Sequence, residues 1–189
     1  MTLTAPSTQA QPHGRPEART LSAATFAALF RNHPAGVAVV TADAGEGPVA
    51  FVASSLVSLS AEPAYLSFSI SDATTAAATL ARASSVVVHF LGGESLEFLR
   101  QATRSGSDRF ADPERWARLA TGEPVLREAR AWIRGEIEHR LRAGTATLHL
   151  VRALETGGEP GGGRPLVYHD RGWHELGPHS RLDTSSPDV

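Results

Sequence analysis

Residues 51–80 read F-V-A-S-S-L-V-S-L-S-A-E-P-A-Y-L-S-F-S-I-S-D-A-T-T-A-A-A-T-L. Within this stretch Leu66, Phe68 and Ile70 alternate with Ser67, Ser69 and Ser71. A period of two puts the apolar set on one face and small hydroxyls on the other, the signature of a half-buried strand. An Ala-Glu-Pro corner separates this strand from an extended run at 49–60, and Asp72-Ala73-Thr74-Thr75 leads into T-T-A-A-A-T-L-A-R at 74–82, read as a short helix. Free N–H groups and hydroxyls at a helix start attract a phosphate, and residues as small as Ala53, Ser54 and Ser55 let a flat ring lie close to the backbone. The stretch therefore predicts a site for a phosphorylated cofactor. In the competing reading Asp72 is an N-cap and the threonines satisfy first-turn donors.

Composition narrows the partners. A chain of 189 residues, 41% hydrophobic, can bury one core, and its net charge of -2 offers no basic face for nucleic acid and no polybasic patch for a membrane. Cysteine is absent, which removes disulfides, thiolate metal sites and a cysteine nucleophile. All 18 basic residues are arginine, so neither a lysine Schiff base nor a P-loop lysine is available. No apolar run is long enough to span a membrane and no secretion signal opens the chain, so a cytoplasmic protein is the expectation.

Around the central stretch, residues 1–20 and 177–189 are aperiodic and Pro-, Ser- or Thr-rich, which predicts disordered tails flanking one domain over 21–176. That domain opens with a helix capped by Ser22, with Phe26, Leu29 and Phe30 on one face. A hairpin follows, with A-G-V-A-V-V-T at 35–41 and a turn at 43–48, then V-V-V-H-F-L at 86–91 as a strand and E-S-L-E-F-L-R-Q-A-T-R at 94–104 as a helix. Strands at 131–141 and 145–155 flank Arg142-Ala143-Gly144, and a last hairpin turns at Arg171-Gly172. Many short strands without regular βα alternation favour a mainly β fold with a few short helices, an antiparallel barrel.

Other motifs carry less. Gly45-Glu46-Gly47-Pro48-Val49-Ala50 fits a dinucleotide fingerprint in letters only, because Pro48 leads into a β pattern where that fingerprint needs a helix; it is read as a turn. The eight histidines lack helical ligand spacing, so no metal site is expected and surface or interface positions are the reading for His89, His139, His149, His169 and His174. Without a G-x-S-x-G elbow, hydrolysis has little support. Arg109 either meets an anion or pairs with Asp108 or Asp112.

Seven blocks in order, P-A-G-V-A-V-V-T (34–41), A-S-S-L-V-S-L-S-A-E-P (53–63), D-A-T-T (72–75), V-V-V-H-F-L (86–91), D-R-F-A (108–111), G-E-P-V-L (122–126) and P-L-V-Y-H (165–169), resemble the flavin reductase-like family of FMN-binding split barrels. These are the reductase components of two-component flavin monooxygenases. The resemblance implies a homodimeric split β-barrel holding FMN or FAD, with NADH or NADPH as co-substrate and a flavin-dependent monooxygenase as a possible partner. It also implies that Phe51, Val52, Ala53, Ser54, Ser55 and Leu56 line the ring, that Ala73, Thr74 and Thr75 meet the ribityl phosphate, and that His89 and Phe90 add contacts. No side chain is assigned as catalytic acid, base or nucleophile, because hydride transfer to flavin depends on alignment. Family members usually carry Asn-Ser at Ser54-Ser55, Asn at His89, and Gly-Asp-His at Gly144-Thr145-Ala146. The missing histidine at Ala146 leaves a second expectation, a flavin-binding carrier or sensor without efficient NAD(P)H turnover.

Overall fold

A computed structural model describes residues 20–182 except 105, 107, 160 and 162. Of the predicted tails, 1–20 and 177–189, residues 1–19 and 183–189 lie outside the described residues, whereas Pro178–Ser180, expected in the second tail, forms a turn of 3-10 helix. The elements in chain order are α1 Ala23–Arg31, β1 Ala35–Gly36, β2 Ala38–Asp43, β3 Pro48–Ala53, β4 Val57–Ala61, β5 Ala64–Ser71, α2 Ala77–Arg82, β6 Ser85–Phe90, α3 Leu96–Ala102, β7 Trp116–Arg118, β8 Pro124–Leu126, β9 Ala131–Ala143, β10 Ala146–Gly158, β11 Leu166–His169 and β12 Gly172–Glu175.

Seven strands form one antiparallel sheet in the order β3-β2-β6-β9-β10-β5-β4, with β1-β11-β12 and β7-β8 as two small flanking sheets. The strands β2 and β6 are nearly continuous apolar runs because both of their faces are buried. Ala38, Val40, Val86 and Val88 turn into a cluster with Phe51, Leu66, Phe68, Ile70 and Val151 inside the sheet's curl. Val37 and Val39 instead meet a second cluster outside it, built by Leu91, Phe98, Leu99, Trp116, Leu126 and Leu166. The alternation read at residues 66–71 holds for the apolar set, with Leu66, Phe68 and Ile70 all buried.

The two edge strands of the sheet, β3 and β4, are consecutive in sequence and do not pair with each other. The sequence pattern joins them into one extended run; in the structure the chain leaves the ladder at residues 54–56, between β3 and β4. Strand β4 begins at Val57, opposite Ser67. The next edge-facing backbone groups of β5, at Ser69, therefore have no strand partner. The Ser55 hydroxyl supplies one: it donates to the Ser69 carbonyl at 3.0 Å and accepts from the Ser69 N–H at 2.9 Å. Ser55→Ala is expected to lower stability by roughly 1–3 kcal/mol, the cost of leaving partly buried backbone groups unpaired, measurable by urea unfolding.

Several local readings are corrected. The helix expected from residue 74 starts at Ala77, has Ala76 at its N-cap position and has no side-chain cap. The segment from 94 to 104 is a 3-10 turn, Gly93–Ser95, followed by α3. The β7–β8 hairpin has no counterpart among the elements expected from sequence. The final hairpin turns at Asp170 and Arg171, both left-handed (φ 43° and 63°), with Gly172 already in β12. At the fingerprint look-alike, Gly45 and Gly47 have φ of 91° and 108°, a conformation open to glycine, in the turn between β2 and β3.

Candidate functional site

Strand alternation splits the expected contact residues between two faces. Phe51 and Ala53 point into the core. On one side of the 54–56 break, Leu56 and Phe90 line a cavity of about 580 Å³ together with Val37, Ser58, Ser60, Tyr65, Leu66 and Ile133. Its volume lies within the range of small-molecule sites, ~300–1,000 Å³, and an apolar wall with a few hydroxyls is what such sites share. On the other side, Val52 and Ser54 open onto a smaller recess of about 250 Å³ walled by Tyr168 and Trp173, whose rings meet at 5.0 Å. Ser55 lies between, its hydroxyl held by β5.

None of residues 72–75, in the turn before α2, lines either cavity. The backbone of this turn is held at the Thr74 N–H, which donates to the Ser71 carbonyl at 3.0 Å, and at the Asp72 N–H, which donates to the Thr145 carbonyl at 3.0 Å. The Asp72 carboxylate is not an N-cap; it forms an ion pair with Arg142 at 2.8 Å. Thr74 is half-buried and Thr75 exposed, and among the described residues neither hydroxyl has a hydrogen-bond partner. Two hydroxyls beside a neutralised carboxylate leave this turn able to receive an anion.

The histidine reading is overturned for two residues. His89 is fully buried: Nδ1–H donates to the Val39 carbonyl at 2.9 Å and Nε2 accepts from the Leu126 N–H at 3.0 Å. It fastens β8, in the outer layer, to the barrel strands β2 and β6. Burial pushes its pKa down to about 4, against the upward pull of the bond to Val39. With both nitrogens committed, its side chain has none left for a ligand. His149 is buried too, stacked on Phe68 at 5.1 Å, and among the described residues neither ring nitrogen has a hydrogen bond of ordinary geometry. Burial first, and the Arg140 charge second, hold its pKa below the usual range.

Arg109 does not form the ion pair expected with Asp108 or Asp112. Its Nε donates to the Ala102 carbonyl at 3.0 Å at the end of α3, while Asp112 pairs with Arg115. Buried Glu123 is the other polar residue of consequence, with Arg134 at 2.8 Å. Burial raises its pKa, yet bonds from Ser85 and Thr121 and the Arg134 charge bring it below the ordinary carboxylate value. That ties the residue preceding β8 to β9.

The sequence matches the family described as Flavin reductase like domain over residues 30–177. The chain belongs to this family. An NADH:FMN oxidoreductase from Rhodococcus erythropolis is 38% identical over 159 residues, 82% of this chain and 83% of its own length. An FMN reductase (NADH), RutF, from Variovorax paradoxus is 33% identical over 148 residues, 75% of this chain and 79% of its own. Among solved structures, a flavin reductase domain protein from Arthrobacter sp. FB24 superposes with a TM-score of 0.79 at 29% identity, covering 86% of this chain and 99% of that one. BorF, the flavin reductase component of a bacterial two-component tryptophan halogenase, does so at 0.72 and 25%, covering 82% and 98%.

For this flavin reductase-like chain, sequence reasoning missed most of the large cavity's lining: Val37 from the segment before β2, Ser58 and Ser60 from β4, Tyr65 from β5 and Ile133 from β9. A signal for the β4 pair was present, because Ser58 and Ser60 alternate with Val57 and Leu59. No local signal marks Val37 or Ile133, which reach the cavity through strand order alone. Among the described residues no helix is long and apolar enough to cross a membrane.

Proposed function

We propose that this protein is an NAD(P)H-dependent flavin reductase that binds FMN or FAD at the β3–β4 break and passes reduced flavin to a flavin-dependent monooxygenase. The observation that carries this reading is the 38% identity to an NADH:FMN oxidoreductase across four-fifths of both chains. The chain's own residues fit the cofactor. Leu56, Leu66, Phe90 and Ile133 supply apolar contact for a ring, Ser58, Ser60 and Tyr65 supply polar groups at its edge, and the hydroxyls of Thr74 and Thr75, without a hydrogen-bond partner among the described residues, suit a phosphate. Flavin, when bound, supplies the chemistry by accepting hydride from reduced nicotinamide. The protein's contribution is to hold the ring at one angle and exclude water from one of its faces.

The active form in this proposal is a homodimer in the cytoplasm, where reduced nicotinamide is available. Support comes from the exposed apolar surface: α1 has no buried residue, with Phe26, Leu29 and Phe30 each more than half exposed, and Val57 and Leu59 project from the edge strand β4. Surfaces of this kind are covered in stable proteins.

Purified protein is expected to oxidise NADH or NADPH in the presence of FMN or FAD well above the rate with free flavin alone. If the protein binds flavin and consumes neither nucleotide, the carrier or sensor reading replaces this one. Ala146, at the start of β10 where the family usually has histidine, is the observation that favours that second reading.

A further inference from the structure

We propose that Arg142 is the cation that meets the flavin 5′-phosphate, so that the site selects phosphorylated flavin over riboflavin through a guanidinium stationed by Asp72. This inference rests on the reading of residues 72–75 as the phosphate turn and adds to it a residue from a distant strand.

Three features single out Arg142. It lies on β9 beside the tip of the β9–β10 hairpin, where Ala143 pairs with Ala146 and Arg142 with Thr147, and the same end of β10 pairs with the end of β5, Ala146 opposite Ser71. The hairpin tip and the hydroxyl turn are thus neighbours by strand register. Second, they are tied twice, by the Asp72 N–H to the Thr145 carbonyl at 3.0 Å and by the Arg142 Nη2 to the Asp72 Oδ2 at 2.8 Å. Third, the other arginines around α2 are committed elsewhere. Arg140 donates to the carbonyls of Leu80 and Ala83 at the helix's C-terminal end, and Arg82 pairs with Glu46 on the β2–β3 turn.

The arrangement also removes an objection to the site. A bare carboxylate at Asp72 would repel a phosphate bound two residues away at Thr74; paired, it contributes no net charge and instead fixes the guanidinium's position. A guanidinium carries five N–H donors in a planar fork, so one edge can hold Asp72 while another faces a phosphate oxygen. The Arg142 side chain is 69% exposed, which leaves room for a ligand and means that water and salt screen the interaction.

The test compares FMN with riboflavin, which share the ring and ribityl chain and differ in the phosphate. Affinities of both are measured by flavin fluorescence titration for the unaltered protein, for Arg142→Gln, Arg142→Lys and the Thr74→Ala/Thr75→Ala double variant, at low and moderate salt. Arg142→Gln is expected to weaken FMN binding about five- to tenfold at low salt, in line with one exposed charge-assisted contact, and to leave riboflavin unchanged. Arg142→Lys is expected to recover part of the FMN preference. If the threonine variant loses FMN preference while Arg142→Gln retains it, the phosphate turn stands and the role of Arg142 is overturned. If the unaltered protein binds the two flavins equally, or the threonine variant keeps its preference, the phosphate lies elsewhere and the underlying reading fails with it.

Discussion

Replacing Thr74 and Thr75 together by alanine is expected to weaken FMN binding by about 1–3 kcal/mol, the worth of hydrogen bonds to a charged group, or roughly five- to 150-fold in dissociation constant. The fold should not change. Neither hydroxyl has a partner among the described residues, and the turn's backbone is held by Ser71 and Thr145 rather than by these side chains. The thermal midpoint of the double variant should therefore match that of the parent. A variant with unaltered FMN affinity would remove residues 72–75 from the site, and one with a lowered midpoint would show that the hydroxyls are structural.

The second large effect is on stability against pH and comes from His89. Its pKa in the fold is about 4, against an ordinary 6.5, because burial penalises the charged ring. Between those values the unfolded chain binds the extra proton and the folded chain does not, so stability rises with pH across that window. The contribution of neutral His89 is fully present above pH 6.5 and disappears as the pH falls through 4. At about 1.4 kcal/mol for each pH unit separating the two values, this amounts to about 3 kcal/mol. His149, whose pKa is lowered in the same direction, adds to the acid sensitivity. His89→Asn should be less stable than the parent at neutral pH, because an amide replaces only part of the ring's two hydrogen bonds and its packing. The gap should narrow towards pH 4 as the parent loses stability that the variant never had. Urea unfolding of both proteins across this range measures the gap, and a gap constant with pH would refute the account.

These two sites show where sequence reading reaches and where it stops. The threonines stand out by composition and place, in a hydroxyl-rich turn ahead of a helix, and the turn is there. The helix, however, starts at Ala77, and Asp72 answers to Arg142 on β9 instead of capping it. Seventy residues separate that pair in sequence, and no local pattern encodes their meeting. The resemblance assigns His89 to the cofactor because its strand is similar to a ligand strand, yet its ring lies on the face that packs against Leu126 and Val39. The run 86–91 is apolar at nearly every position, so alternation does not say which side of β6 faces the barrel interior and which faces the second layer.

By itself the sequence determined the antiparallel β class, the positions of most strands and hairpins, and the family, because period-two alternation, turn residues and block order are local properties that survive without tertiary contacts. Only the tertiary structure decided the order of the strands and where the cavity lies. Edge strands β3 and β4 have no ladder between them, and the hydroxyl of Ser55 stands in for the missing partner of Ser69. Val37, Tyr65 and Ile133 meet at one cavity because the strand order folds distant segments side by side. A backbone's period is written residue by residue, whereas the neighbour across a sheet depends on which strand outcompetes the others for that edge.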